Sequence, residues 1–277
     1  MTGDIRDIHR TSKARLQFTA SANGETYLSD QYIGYPMHIT RPFYLENDPP
    51  GMPTVYLQSV SGGLFGGDDI HLAITINENA QAQVTTQAGT VVHSMKPQQH
   101  ATQHITIDSR SNSLFEFISD PLILFPESKL NQRIQLDLSH DATVVLTDSF
   151  VIHDPTKSNS MFGELSNEVI IKYDHKVGAV DRFRVTGDTF TDLAPFKAHG
   201  TLIIATRTDQ ERLTRRLHNI LPSGDNKYGG CSILPNDAGL SVRLMATDTH
   251  QLRSIMTKCW CEIRSHLTGL MPNERKK

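Results

Sequence analysis

The chain has few of the features that assign a sequence to a common functional class. Its 277 residues include three cysteines and one tryptophan, and its formal charge is −3. Three cysteines are too few for a disulfide framework, and the nearly balanced charge argues against nucleic acid or an anionic membrane as the main partner. The sequence has no apolar run of the roughly 18 residues that a membrane helix needs, and no signal-peptide pattern. These absences predict a cytoplasmic protein with no membrane or nucleic-acid partner.

Motifs of common active sites are also missing. The sequence contains no phosphate-binding glycine motif, no nucleophile elbow and no clustered metal-ligand motif. Its 13 histidines are scattered. The best local pair, His100 and His104, would share one face of a strand and is expected to face solvent. Cys259 and Cys261 lie two residues apart in a helical pattern, so one is expected in the core and the other outside it. The sequence therefore predicts neither a catalytic residue nor a tightly bound cofactor.

What the sequence does contain is a repeat of strand, turn and strand. Each unit alternates apolar and polar residues on both sides of a polar turn, which is typical of strands with one buried face. The spacing of roughly thirty residues is that of stacked arrays. The repeat predicts a mainly β fold with a β-helical, solenoid-like body over about residues 14–205, with an antiparallel sandwich as the alternative. The four units are Ile70–Gln87, Thr102–Ser119, Gln132–Ser149 and Glu168–Val185.

The pattern changes after this body. Asp209–Leu221 and Asp248–Leu267 carry apolar residues at helical spacing and predict two amphipathic helices. Asp248 or Thr249 is expected to cap the second helix, and Gly269 to end it. We expect a single domain over residues 1–277, with a helix-containing C-terminal part over about residues 206–270.

The most informative stretch is a glycine-rich loop that ends in an acid. Ser61–Asp68 contains two glycine pairs, and a strand pattern and a Thr-Thr-Gln sequence follow it. Glycine is used where the backbone needs positive φ or close approach, so the loop predicts a tight turn or a shaped acidic site. The residues of this motif are Gly62, Gly63, Gly66, Gly67, Thr85, Thr86 and Gln87.

Three further carboxylates lie in or near the third and fourth repeats. Asp148 ends the third unit, Glu164 follows it, and Asp181 lies within the fourth. Carboxylates at the ends of stacked strands could line one edge together with Asp68, while solvated surface acids are the alternative interpretation.

Taken together, these motifs resemble the urease accessory protein UreD family, also called UreH. The loop Ser61–Asp68 and the stretch Thr85–Val92 are similar to the family's Gly-Gly loop and Thr-Thr-Gln-Ala strand. Asp120–Pro126 is similar to its proline-bracketed segment, and Gly239–Met245 with Cys259–Arg264 resembles its final strand and helix. The resemblance covers nearly the whole chain in order. One stretch departs from it, because the family's Gly-Arg-x-x-x-Gly-Glu keeps only its Gly-Glu end at Gly163–Glu164.

The resemblance implies a non-catalytic scaffold with a β-helical body and two helices. It implies that the chain binds the urease apoprotein and UreF, which recruits the GTPase UreG, and that nickel is bound only transiently on its way to urease. By motif, nickel transit falls on Asp68, Asp148 and Glu164, and on Asp181 with less support. Carboxylate and imidazole ligands suit nickel.

Two other functions stay open on the residues alone. A β-helical carbohydrate-active hydrolase would use Asp68, Asp148 or Glu164 as paired carboxylates, although the chain has only one tryptophan for stacking on sugars. A structural adaptor unrelated to urease is the other alternative.

Overall fold

The computed structural model describes residues 10–45, 48–157, 160–191, 193 and 195–272. Most of the regular structure in this part of the chain is β, as the sequence predicts. The helices are α1 (Gly187–Thr191), α2 (Gln210–His218) and α3 (Thr249–Thr268), with a 3₁₀ turn at Pro235–Asp237. The strands are β1 (Arg10–Ala20), β2 (Thr26–Ile33), β3 (Met37–Ile39), β4 (Phe43–Tyr44), β5 (Pro53–Ser59), β6 (Asp68–Ile76), β7 (Gln81–Thr86), β8 (Thr90–Val92), β9 (Ala101–Ser109), β10 (Leu114–Ile118), β11 (Leu122–Leu124), β12 (Lys129–Leu138), β13 (Thr143–Ile152), β14 (Glu164–Tyr173), β15 (Lys176–Thr186), β16 (Ala198–Ala205), β17 (Ser223–Gly224), β18 (Lys227–Ile233) and β19 (Leu240–Ala246).

The strands form two facing sheets. Sheet A has the order β15-β14-β12-β9-β6-β1-β2, and sheet B has the order β17-β18-β19-β16-β13-β10-β7-β5-β3. Short strands β8 and β11 extend sheet B along the second half of β13, and β4 pairs with β5. The central strands of each sheet run parallel: β1, β6, β9, β12 and β14 in sheet A, and β5, β7, β10 and β13 in sheet B. The chain therefore coils, giving one strand to each sheet on every turn.

The parallel pairing confirms the predicted solenoid and excludes the antiparallel sandwich. The first three predicted repeats each place one strand in sheet A and one in sheet B. The fourth repeat differs, because β14 and β15 pair antiparallel within sheet A. Its turn residues Asp174 and His175 have φ of 49° and 67°, as two-residue hairpin turns require. A hairpin and a solenoid unit give the same alternation, since strands of both kinds bury one face.

The inward faces of the two sheets make the main core. Leu72 and Ile74 of β6 pack in one cluster with Ile105 of β9, Phe115 of β10 and Leu146 of β13, and all five are almost fully buried. Stacking of successive turns thus supplies the apolar contacts that no single strand-turn-strand unit could make alone.

Helices α2 and α3 form a second layer over the outer face of sheet B. Leu213 and Leu217 of α2 and Leu252 and Trp260 of α3 share a cluster with the apolar residues of β16 and β19. Both predicted helices are confirmed, with α2 ending at His218 rather than Leu221. Helix α1 was not predicted, because five residues are too short to show a helical period.

The ends of α3 follow the capping signals in the sequence. Asp248 is extended, and its side chain accepts a hydrogen bond from the Gln251 N–H at 2.8 Å. Gly269 ends the helix with φ of 74°, a conformation in which glycine has no Cβ penalty. Cys259 is buried in the apolar cluster between α3 and sheet B, and Cys261 is half-buried and packs against the same cluster. The prediction that Cys261 lies outside the core is therefore wrong.

Candidate functional site

The glycine loop lies against the next turn of the solenoid. Gly63 has φ of 138°, and a Cβ there would lie 2.2 Å from the carbonyl oxygen of Val91. Only glycine fits so close a contact. The contact lets the Leu64 N–H donate to the same oxygen at 2.8 Å, and the Gly67 N–H donates to the His100 carbonyl at 2.9 Å. The loop is thus built to pack against the body.

Asp68 closes this loop and is fully paired. Arg10 Nε donates to Asp68 Oδ1 at 3.0 Å, and its Nη2 forms a salt bridge with Oδ2. The backbone N–H of Phe65 also donates to Oδ2, at 2.9 Å. The Asp68 side chain is only 4% exposed. The carboxylate therefore ties the loop to β1 and has its charge neutralised by one arginine.

The Thr-Thr-Gln motif joins successive turns of the solenoid. Thr85 Oγ1 donates to the carbonyl oxygen of Ile118 at 2.6 Å. Thr86 Oγ1 accepts a hydrogen bond from the Asp120 N–H at 2.7 Å. Gln87 follows directly and contributes to the wall of a cavity. The motif thus positions one wall of an internal space and fixes the bend where sheet B passes from β7 to β8.

This cavity has a volume of about 230 Å³ and lies between the two sheets. Apolar side chains such as Leu57, Ile105 and Phe117 line part of it. Its polar lining makes it different from an apolar void, since a cavity with several polar partners can hold water. The polar lining residues include Gln58, Thr86, Gln87, Gln103, Asp120, Gln132 and Asp148.

Asp148 faces a row of amides across the cavity. Gln103, Gln132 and Asn167 occupy one register row on β9, β12 and β14. Gln132 Nε2 donates to Asp148 Oδ1 at 2.9 Å and to Asn167 Oδ1 at 3.1 Å. Asn167 Nδ2 donates to Asp148 Oδ2 at 2.6 Å. Neutral amides, rather than a cation in direct contact, therefore hold this carboxylate between the sheets.

The pKa of Asp148 reflects this setting. Burial raises it from 3.8 to about 6, although the hydrogen bonds from Gln132 and Asn167 act in the opposite direction. Asp181 raises the pKa further and Arg243 lowers it. A carboxyl group with such a pKa changes its charge close to neutral pH, and a bound cation would favour its ionised form.

Asp181 and Arg243 lie beside Asp148 at the end of the solenoid. Asp148, Thr201 and Arg243 occupy one register row of sheet B on β13, β16 and β19. Arg243 Nη2 forms a salt bridge with Asp181 Oδ1 across to β15. The Thr201 hydroxyl is buried and has no hydrogen-bond partner within the described chain. Burial, with a smaller effect from Arg243, lowers the pKa of nearby His199 to about 4, so its imidazole is neutral at pH 7.

Glu164 has a different environment at the start of β14. Its Oε2 accepts a hydrogen bond from Arg184 Nη2 at 2.7 Å, and the two side chains are 28% and 69% exposed. This is a surface ion pair. Arg184 on β15 thus pairs with the Gly-Glu end of the stretch that departs from the family pattern.

The four predicted acids thus divide into two places. Asp148 and Asp181 lie near the cavity end of the solenoid. Asp68 and Glu164 begin strands on one edge of sheet A, three strand spacings apart, or roughly 14 Å. Among the described residues, none of the four belongs to a cluster of three metal ligands. They do not form a closed site.

The amide row was missed in the sequence, although a signal for it was present. In β12 the inward positions read Leu130, Gln132, Ile134, with one polar residue among apolar ones. The equivalent positions hold Gln103 in β9 and Asn167 in β14. A polar residue at the same buried position of consecutive repeats indicates a polar row inside a solenoid.

A second buried polar cluster joins α3 to sheet B. Arg264 is 0% exposed. Its Nε donates to Glu116 Oε1 at 2.6 Å and its Nη1 donates to Asp48 Oδ1 at 2.6 Å. Trp260 Nε1 donates to Glu116 Oε2 at 2.8 Å, and Gln83 Nε2 donates to the same oxygen at 2.8 Å. The Trp-x-x-x-Arg pattern of the helix therefore has a structural role.

Burial lowers the pKa of Arg264, but its hydrogen bonds and ion pairs with Glu116 and Asp48 outweigh that effect and raise the pKa overall.

In the part of the chain that the structure describes, no helix is long and apolar enough to cross a membrane.

Comparison with known proteins places these features in one family. The family model described as "UreD urease accessory protein" matches residues 10–276. Urease accessory protein UreD 1 of Pseudomonas syringae pv. syringae is 36% identical over 271 residues, covering 95% of each chain. UreD 1 of Pseudomonas syringae pv. tomato is 35% identical, covering 98% of this chain and 97% of its own. UreD 3 of Bradyrhizobium sp. strain ORS 278 is 37% identical, covering 92% and 91%. The chain belongs to the UreD family of urease accessory proteins.

Proposed function

We propose that this chain is a non-catalytic scaffold that passes nickel toward the urease active site. In this role it binds the urease apoprotein and UreF, and UreF brings the GTPase UreG into the complex. We place the complex in the cytoplasm, where cysteine thiols such as those of Cys231 and Cys259 stay reduced.

The observation behind the transit role is the Asp148 carboxylate at the wall of the cavity. Nickel accepts oxygen and imidazole ligands, and one carboxylate with neutral amide neighbours gives a weak site that a passing ion can leave. An arginine in direct contact would neutralise the carboxylate and repel the ion. In this cluster the nearest guanidinium, that of Arg243, is engaged by Asp181, which leaves Asp148 as the acid best suited to meet a cation.

The other three acids have supporting places in this proposal. Asp181 pairs with Arg243 and adds negative charge near Asp148. Asp68 shapes the loop beside the cavity through its pairs with Arg10 and Phe65. Glu164 lies at the surface with Arg184 and is the one most open to solvent-borne ions.

The two alternative functions have less support. A glycosidase needs two carboxyl groups that flank one glycosidic bond. Asp68, Glu164 and Asp181 are each paired with an arginine, which leaves Asp148 without a second carboxyl group for this role. Family membership also favours a urease-linked role over an unrelated adaptor.

Complementation tests the proposal. This chain would replace UreD in a urease operon that lacks it, in cells supplied with nickel, and urease activity and urease-bound nickel would be measured. Wild type should restore both, and Asp148→Asn should lower both by about tenfold or more while still pulling down UreF and apo-urease.

Asp30→Asn is the matched control, because Asp30 makes an exposed ion pair with Arg15 on the outside of sheet A. It should activate urease as wild type does. Full activation by Asp148→Asn would remove Asp148 from the path. Failure of wild type to activate urease or to bind UreF would overturn the maturation role itself.

A further inference from the structure

Three potential metal ligands converge on the outer face of sheet A, away from the cavity. Asp69 and His71 lie two residues apart on β6, so their side chains point to the same face. His104 on β9 is the direct register partner of His71. The sequence paired His104 with His100, but the solenoid pairs it with a histidine from the preceding turn. Because parallel strands hold this register over many residues, the three side chains share a rigid base.

The ligand atoms are close enough for one ion to bridge. One atom from each of the three residues lies within 4.8 Å of the others. His71 Nε2 lies 3.0 Å from Asp69 Oδ2, and the two imidazole rings are stacked with centroids 4.8 Å apart. Metal–ligand bonds of about 2.0–2.2 Å place two ligands of one ion roughly 3–4 Å apart. Small side-chain rotations would therefore complete the geometry.

The ligands are accessible as well as close together. Both side chains of the Asp69–His71 pair remain 40% exposed, so an ion can reach them from solvent.

Two cations flank the three ligands in the same row of the sheet. Lys13 lies next to His71 on β1 and Arg133 lies next to His104 on β12. Arg133 Nε is 3.4 Å from Glu168 Oε2, and Glu168 also pairs with Arg182, so the carboxylate offsets part of the Arg133 charge. Lys13 is exposed and screened by solvent. The nearby positive charges therefore reduce the affinity of the site for a metal ion to a modest level without preventing binding.

We propose that Asp69, His71 and His104 bind one divalent transition-metal ion of the Ni²⁺, Co²⁺ or Zn²⁺ class. Two imidazoles and one carboxylate on one face match the ligand preferences of these ions. Three protein ligands leave the remaining coordination positions to water, so the ion exchanges readily. The site lies on the opposite face of sheet A from the Gln132 row, so its occupancy is independent of the cavity and of the proposed transit role.

The test uses the full chain, freed of metal by chelation, and the metal alone. Co²⁺ absorbance and Ni²⁺ calorimetry at pH 7.5 would give the number of bound ions and their affinity for wild type, for His71→Asn/His104→Asn and for His100→Asn. The double variant should lose one bound equivalent, or bind it about tenfold or more weakly. His100→Asn is the control, because it removes an exposed histidine near β9 and should bind as wild type does.

Unchanged stoichiometry and affinity in the double variant would overturn the proposal. Should that variant fail to fold, wild type labelled with ¹⁵N-histidine gives a second answer. Substoichiometric Ni²⁺ should broaden the His71 and His104 ring signals first, and broadening confined to other histidines would overturn the site. Neither measurement involves urease or UreF, so the result is separate from the outcome of complementation.

Discussion

Two clusters of polar residues in this protein hold carboxylates away from bulk water, and they pair those carboxylates in different ways. Behind sheet B, the Arg264 guanidinium meets the carboxylates of Glu116 and Asp48, with all three side chains almost fully buried. Between the sheets, the Asp148 carboxylate meets the amides of Gln132 and Asn167. In the first cluster a cation touches both carboxylates directly, whereas in the second the carboxylate is held by neutral amide donors.

The difference separates acids that hold the fold from acids that remain available. Removing one partner of a buried ion pair strongly destabilises a fold, because the other charge is left buried and unpaired. The cluster of Arg264, Glu116 and Asp48 therefore acts as a clamp that fastens α3 to the solenoid. A carboxylate with a pKa of about 6 is already a cost to the folded state at neutral pH. A group that costs stability where an apolar residue would not is a candidate for function.

The largest expected effect comes from breaking the clamp. Arg264→Leu would leave Glu116 and Asp48 buried without their cation and should lower the free energy of unfolding by about 3–5 kcal/mol. Urea denaturation followed by circular dichroism would measure it. The triple variant Asp48→Asn/Glu116→Gln/Arg264→Leu removes the stranded charges and should recover part of the loss. A loss under about 1 kcal/mol for Arg264→Leu would mean that the Arg264 cluster does not hold α3 to the solenoid.

The next effect depends on pH and comes from Asp148. Its folded pKa lies above 3.8, so the stability it contributes is fully present below about pH 3.8 and is lost as pH rises through about 6. Asp148→Asn removes this loss. The stability difference between variant and wild type should therefore grow by roughly 2 kcal/mol from pH 4 to pH 8.

Urea titrations at both pH values would measure that growth. A constant difference between Asp148→Asn and wild type would mean that Asp148 ionises like a surface acid, and the contrast between the two clusters would disappear.

A smaller effect is expected for Asp68. Its carboxylate is paired with an arginine, as in the clamp, but this pair lies nearer the surface. Asp68→Asn keeps the shape but removes the charge opposite Arg10, which is 19% exposed and can rehydrate. The free energy of unfolding should fall by about 1–3 kcal/mol. Arg10→Gln should cost a similar amount. If Asp68→Asn were as stable as wild type, its carboxylate would belong with Asp148 rather than with the clamp.

The smallest effect is expected for Glu164. Its ion pair with Arg184 is exposed, and such pairs contribute at most about 1 kcal/mol. Glu164→Gln should therefore leave the urea midpoint almost unchanged, at low and at high salt. A fall of several kcal/mol in the free energy of unfolding would instead indicate that Glu164 has a buried structural role.

Much of the fold could be predicted from the sequence because its signals are local. Alternation located the strands, helical spacing located α2 and α3, and Asp248 and Gly269 marked the ends of α3. Pairing direction is not local, which is why the hairpin β14–β15 looked like another solenoid unit. Its turn has two consecutive residues with positive φ, Asp174 and His175, whereas the turns of the first two units have one each, Asn79 and Asn112.

The candidate sites were harder to predict, since they join residues far apart in the chain. The sequence identified Asp148 at the end of the third repeat and Asp181 within the fourth, but the structure places both inside strands, β13 and β15. The partners that set their properties, Asn167 and Arg243, come from other strands. His71 and His104 meet only because β6 and β9 stack in register. A repeat-aligned reading, with each turn written above the next, would have placed Gln103 over Gln132 and His71 over His104.

The reversed strands at the two edges of sheet A set the size of the molecule. A parallel coil has no intrinsic last turn, because each strand offers the same edge to the next. Here β2 folds back on β1 at one edge, and β15 folds back on β14 at the other. Each hairpin ends the repeat by presenting a strand of the opposite direction, so another copy cannot continue the coil in phase. Two short turns thus keep a fold capable of fibre-like growth as a body of fixed length.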